Sequence, residues 1–114
     1  PVFNRTSANV TNVIDGSTFE IGHGQVIMLN CVSSPNITQM GFNESKLFLS
    51  NLILNKTVEL ESDYQERDKS GRLLRYVFIN DSFVNKEVFK KGYGSIIRYE
   101  NASTKCDDIK NTIK

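Results

Sequence analysis

Few side chains in this 114-residue chain have the type and spacing to do chemistry, and the clearest of them is Arg72. It leaves the turn Asp68-Lys69-Ser70-Gly71, in which the aspartate can bond its own backbone and the glycine is free to take positive φ. A guanidinium in that place is either a phosphate ligand, offering a planar fork of donors, or a solvated hairpin charge. Lys69, Arg75, Tyr93 and Arg98 join it as candidate ligand-binding residues, for phosphate contacts and base stacking in a nucleic-acid binder. Metal chemistry has little to draw on. His23, between two glycines, reads as an exposed turn residue, and Cys31 and Cys106 lack the C-x-x-C spacing of redox or zinc sites. The two cysteines form either one disulfide, closing a loop of about 75 residues worth roughly 4 kcal/mol in the chain-entropy model, or two buried free thiols.

Asparagine supplies a second kind of chemistry. Asn4, Asn9, Asn36, Asn43, Asn55, Asn80 and Asn101 each open an N-x-[ST] sequon without proline at x, where roughly two would arise by chance from the serine and threonine content. Either the sequence is asparagine-rich with coincidental matches, or the chain is N-glycosylated in an extracellular or cell-surface setting. It opens on Pro1 with no secretory leader, which reads as a processed or trimmed start.

Size and charge bound the rest. A chain of 114 residues is expected to form a single domain around one core. A net charge of +1 gives no strong overall attraction to nucleic acid. Basic residues crowd positions 67–98, but carboxylates are interspersed, so the region reads as a mixed solvated surface rather than a basic face, and there is no apolar run long enough for a transmembrane segment.

The elements that must position these residues follow from pattern. Around the Asp68-Gly71 turn, Val58 and Leu60 alternate with Glu59 and Glu61, and Leu74, Tyr76 and Phe78 alternate with Arg75 and Val77, the period of a half-buried hairpin. Residues 10–14, 18–21 and 25–32 read as a three-stranded meander divided by two tight turns, after an irregular lead-in over 1–8. Asn43 is the expected cap of a helix ending near Asn55, with Leu47, Phe48, Leu49, Leu52 and Ile53 as its apolar stripe. A short strand at Phe83-Val84 leads to a second helix, capped by Asn85 and stopped by Gly92. Residues 93–99 read as extended, and residues 101–114 as a polar tail with at best a frayed helix. Five strands with a helix between the third and fourth is the arrangement of an OB-type barrel.

The residues go further than the pattern. Val10-x-x-Val13-x-Asp15-Gly16-Ser17-Thr18, the segment 29–35, Asp68-x-x-Gly71-Arg72-x-Leu74-x-Tyr76-Val77, and Val84-Asn85 followed by Lys91-Gly92 resemble, in order and spacing, four successive motifs of the staphylococcal (micrococcal) nuclease family. The resemblance covers residues 10–100. It implies a mainly β OB-fold, a five-stranded Greek-key barrel with two or three helices, and in active members a calcium-dependent phosphodiester hydrolysis. That chemistry needs carboxylate-rich oxygen ligands for the ion, a carboxylate to place the attacking water and two arginines on the phosphate.

This chain departs from that set. Ser17 stands at the aspartate of the D-G-D-T motif, Ser33 at the aspartate before the T-P-E element, Ser34 at its threonine and Asn36 at its glutamate. Met28 stands at the first arginine, and only the second is kept, as Arg72. Of the remaining carboxylates, the tail pair Asp107-Asp108 has the most freedom to move in. The expectation is therefore no confident catalytic residue and no resident metal, in a non-catalytic module for binding or structure within a secreted or cell-surface protein. The alternatives are a divergent metal-dependent nuclease, the one case that needs calcium, and a nucleic-acid binder without cleavage. No residue decides whether the partner is a protein or a nucleic acid.

Overall fold

The computed structural model describes residues 3–111. Along the chain run β1 (Arg5–Asp15), β2 (Thr18–Ile21), β3 (Val26–Leu29), β4 (Val32–Ser33), α1 (Phe42–Ile53), β5 (Thr57–Glu61), β6 (Leu73–Ile79), β7 (Ser82–Phe83), α2 (Val84–Lys90), β8 (Ser95–Ile96) and α3 (Cys106–Lys110). The long strand β1 is the spine. Its first half pairs antiparallel with β5, from Arg5↔Glu61 to Asn9↔Thr57, and its second half with β2, from Val10↔Ile21 to Asp15↔Thr18. Register shifts after Val10 and after Val13 bend the strand from one partner to the other. They also bury both valines although their spacing is three rather than two.

Five strands close into a mixed barrel in the order β3-β2-β1-β5-β6, sealed by a parallel pairing of β3 with β6 at Ile27↔Leu73 and Leu29↔Arg75. This is the OB-type, mainly β architecture that the resemblance implied, with three helices where two or three were expected. Closure leaves no free edge on the barrel's main strands. Phe19, Ile27, Leu29, Val58, Tyr76 and Val77 of the strands share one buried core with Leu49 and Ile53 of α1 and Val84 and Val88 of α2.

Several elements differ from their expected form. The lead-in is not irregular: from Arg5 it is strand, because Arg5 bonds Glu61 at 3.0 Å and Glu59 at 3.3 Å across the β1–β5 pair. Pro1 and Val2 lie outside the described residues. The strand expected over 25–32 stops at Leu29, since Cys31 takes φ 71° and turns the chain, after which β4 pairs separately with β8. Helix α1 begins at Phe42 with Gly41, φ 91°, at its N-cap, and Asn43 lies exposed in the first turn. Its buried stripe is Ser45, Leu49 and Ile53, while Leu47 is exposed. Gly92, at φ 84°, does stop α2: its N–H bonds Phe89 O at 3.0 Å and Tyr93 N–H bonds Val88 O at 3.1 Å, a Schellman closure.

The largest departure is the tail. Ala102, Cys106 and Ile109 are fully buried, and Cys106 is bonded to Cys31 with 5.4 Å between their Cα atoms. Of the two readings of the cysteines, the disulfide is the one realised. A buried carboxylate completes the docking. Asp63 accepts from Tyr76 Oη at 2.6 Å, from Thr104 Oγ1 at 2.7 Å and from Thr104 N–H at 3.1 Å, and Lys105 N–H bonds Tyr76 Oη at 3.2 Å. Burial by itself would raise the Asp63 pKa, but the hydrogen bonds from Tyr76, Thr104 and the Tyr64 amide outweigh it and hold the carboxyl below its ordinary value. A carboxyl whose pKa is depressed by folding contributes stability above its unfolded value, and that contribution is lost as pH falls through the folded one. Thermal unfolding followed from pH 6 to well below the ordinary aspartate value of about 4 is expected to show a midpoint that falls chiefly below that value, with a shallower slope there in Asp63→Asn. Equal slopes in the two proteins would refute the assignment.

Candidate functional site

The corner where the resemblance places acids is built by two turns and a helix. The Asp15-Gly16-Ser17 turn joins β1 to β2, and Ser33-Ser34 leaves β4. Asp15 Oδ1 accepts from Ser17 N–H at 2.9 Å and lies 3.4 Å from Ser17 Oγ and 3.3 Å from Ser34 Oγ. The two hydroxyl oxygens are 2.9 Å apart, and Ser34 N–H donates to Ser17 Oγ at 3.3 Å. Two hydroxyl protons thus serve three short contacts, and the corner is a closed hydrogen-bond knot around one carboxylate. Helix α1 shuts it from behind. A Cβ on Gly16 would stand 2.6 Å from both Cβ and Oγ of Ser45 and 3.0 Å from Ser34 Cβ, so only a glycine and a small helix residue fit together here.

Calcium takes six to eight oxygens with carboxylate charge among them. Here one carboxylate faces hydroxyls already committed to it, and the described residues contain no cluster of three or more His, Cys, Asp or Glu able to hold a metal. Stripping the hydration of a divalent cation for neutral hydroxyls is unfavourable, so the donor set does not fit the ion. Asp107 and Asp108 do not move in, being paired with Arg98 and Lys86 respectively.

The other matched positions are equally changed in role. Met28 is buried on β3, packed with Leu74 and Ala102, where its sulfur accepts from Thr18 Oγ1 at 3.5 Å. Asn36 is exposed in the loop after β4, its Oδ1 accepting from Thr38 N–H at 3.0 Å and Thr38 Oγ1 at 2.7 Å. Arg72 is held by the hairpin turn, where Asp68 Oδ2 accepts from its Nε at 2.6 Å and Asp68 Oδ1 from its N–H at 2.9 Å and from Ser70 N–H at 3.0 Å. Since the Asp68 side chain is only 6% exposed, this pair is better shielded from solvent than an ordinary surface bridge.

Of the five candidate ligand-binding residues, the fold brings three together. Lys69, Arg72 and Arg98 line one cavity of about 420 Å3, with Tyr99, Asp68 and Glu100. Burial pushes the Tyr99 hydroxyl above its ordinary pKa, so it stands there as a neutral phenol. Arg75 is elsewhere, bracing the hairpin through the carbonyls of Leu74 at 2.8 Å and Glu66 at 3.2 Å and the Glu66 carboxylate at 3.1 Å. Tyr93 faces a different cavity with Ser33, Ser34 and Gln39.

The seven sequon asparagines are all exposed, whereas the buried asparagines, Asn30 and Asn85, lie outside sequons. Sequence reasoning missed three residues that shape the site. Ser45 carries no local signal, because its reason is Gly16. Tyr99 has none apart from its type. Asp63 gave only the hint of an acid flanking a strand of alternating pattern.

Comparison with known proteins agrees with this architecture. The profile described as Staphylococcal nuclease homologue matches residues 27–113. A thermonuclease of Staphylococcus hyicus is 30% identical over 98 residues, which is 78% of this chain and 58% of the relative. An uncharacterized protein of Bacillus anthracis is 34% identical over 98 residues, 76% of this chain and 45% of the relative. The chain therefore spans about half the length of these relatives. The barrel closed by β3 and β6, the turn that carries Arg72 and the extent of these matches establish that the chain belongs to the staphylococcal nuclease homologue family.

Proposed function

We propose that this domain is a non-catalytic member of the family, serving as a binding or structural module of a secreted or cell-surface protein. The observation that carries the reading is the corner of Asp15, Ser17 and Ser34, where the hydroxyl of Ser17, standing in place of an acid, is bonded to Ser34 and leaves Asp15 as the one carboxylate. Removing a single preorganised charge stabiliser costs about 10² to 10³ in rate, and groups that act as a unit fail together. With Ser17, Ser33, Asn36 and Met28 all neutral, Arg72 alone gives no route to hydrolysis. The exposure of every sequon and a disulfide buried in the core support an oxidising, extracellular setting.

A second reading, a nucleic-acid binder without cleavage, is favoured by one observation, the convergence of Lys69, Arg72, Arg98 and Tyr99 on a single cavity. One experiment separates these readings from a divergent nuclease. Purified protein is incubated with single-stranded DNA and RNA over a panel of divalent metals, and binding is measured as salt is raised. No metal-dependent cleavage is expected. Cleavage that disappears in Arg72→Ala would overturn the proposal, and binding that weakens steeply with salt and in Lys69→Ala would select the second reading, since phosphate contacts release counterions.

A further inference from the structure

A cavity of about 440 Å3 opens beside the corner of Asp15, Ser17 and Ser34, between the loop after β4 and the turn that follows α2. Its volume lies within the range of small-ligand sites, about 300–1,000 Å3. Its lining carries no charged side chain. Ser33, Gln39, Tyr93 and Ser95 supply hydroxyl and amide groups, and among the described residues the hydroxyls of Ser33, Tyr93 and Ser95 have no protein partner. The Tyr93 ring is pinned by Phe48, with centroids 5.0 Å apart and planes at 32°, so it forms a fixed apolar wall. The floor beside it is bare backbone. A Cβ on Gly94 would lie 2.6 Å from Val32 Cγ1 and 3.1 Å from Ser33 O, which keeps that position a glycine. A neutral cavity with one aromatic wall and several unpaired hydroxyls suits a neutral sugar, whose ring has an apolar face and a polar rim. It does not suit a phosphate, for which no cation is present.

A sugar has a covalent place to start from at the rim. Asn36 follows Pro35 of the lining, and its N–H donates to Oε1 of Gln39, another lining residue, at 2.9 Å. Its Oδ1 is held by Thr38, the third residue of its own sequon, while Nδ2 makes no hydrogen bond among the described residues. We propose that Asn36 carries an N-linked glycan whose first sugar seats in this cavity against Tyr93, so that the space beside Ser33 and Ser34 is occupied by the chain's own modification. The attachment balances simply. Asn36 Nδ2 displaces the phosphate leaving group from the anomeric carbon of an activated sugar donor, supplied with its transferase by the secretory compartment, and gives up one proton. This rests on the extracellular reading above and adds to it a ligand and a site.

The test uses the full chain secreted from a host that attaches N-acetylglucosamine first, trimmed by an endoglycosidase to the single-sugar stub. Peptide mass spectrometry comes first: an unmodified Asn36 overturns the proposal, and only all seven sequons unmodified would overturn the glycosylation reading with it. With Asn36 occupied, the acetyl methyl of the stub is expected to give a nuclear Overhauser contact to the Tyr93 ring. The amides of Ser33 and Ser34 are expected to exchange at least about tenfold more slowly than in Thr38→Ala, which removes the sugar without touching the lining. Tyr93→Ala is expected to keep occupancy and lose that protection. An occupied Asn36 with no contact to Tyr93 and unchanged exchange overturns the seating alone and leaves the glycosylation reading intact.

Discussion

Removing the disulfide with Cys31→Ala and Cys106→Ala together is expected to destabilise the domain by about 4 kcal/mol, in the chain-entropy model for a loop of roughly this length. The bond spans 75 residues, so reduction returns most of the chain to an unconstrained unfolded state. Alanine is the replacement of choice because both sulfurs are fully buried and a serine hydroxyl would lack a partner. Against a total stability of about 5–15 kcal/mol for a domain, this is a large fraction. Denaturant titration of the wild type with and without a reductant, beside the double variant, measures it. The reduced wild type is expected to approach the variant, and the variant to ignore the reductant. A variant unfolding at the wild-type midpoint would show that the tail is held by Asp63 and its partners alone.

The second large effect is expected at Asn85. Its side chain is fully buried and joins α2 to two other backbone segments, β6 and the turn at Asn30: Oδ1 accepts from Val77 N–H at 2.8 Å, and Nδ2 donates to Asn30 O at 2.9 Å and Arg75 O at 3.2 Å. Asn85→Ala leaves a buried donor and weakens two acceptors, at about 1–3 kcal/mol for each group left unsatisfied. A total loss of about 3 kcal/mol or more is expected in equilibrium unfolding. Asn85→Asp separates the causes. Its carboxylate keeps the bond from Val77 but turns an anion toward two carbonyl oxygens, so its folded pKa is raised above the unfolded one. Its deficit should be greatest at neutral pH and shrink as pH falls and the carboxyl becomes a donor. A deficit that does not change with pH would show that packing, rather than the bridging bonds, is what Asn85 provides.

What the sequence disclosed and what it hid divide by the range of the forces involved. The turns at Asp15-Gly16-Ser17 and Asp68-Lys69-Ser70-Gly71, and the stop at Gly92, are decided within a few residues, and all three appear where turn chemistry puts them. Asn85 looked like a helix cap because caps are local, yet its partner Asn30 lies 55 residues away. The tail looked frayed because Ala102, Cys106 and Ile109 are too few to form a stripe, and only the bond to Cys31 and the bonds to Asp63 fix them. Residues 5–8 looked irregular because Arg5, Thr6 and Ser7 are exposed, and their pairing with β5 cannot be read from alternation. At the site itself the substitutions were legible one by one through the resemblance. That Ser17 and Ser34 bond each other, and that Lys69, Arg72 and Arg98 converge while Arg75 and Tyr93 do not, required coordinates.

The parallel seam between β3 and β6 also orders events in time. The meander β1–β2–β3 and the β5–β6 pair join near neighbours, whereas Ile27↔Leu73 must gather strands separated by a helix and a long turn, and contacts of that separation form late. The tail lies across this seam, with Ala102 against Met28 of β3 and Leu74 of β6 and Lys105 on Tyr76, so its final position exists only once the seam has closed. Cys31 and Cys106 are therefore expected to meet in a barrel already assembled. On that order their oxidation locks the finished fold rather than steering the chain toward it.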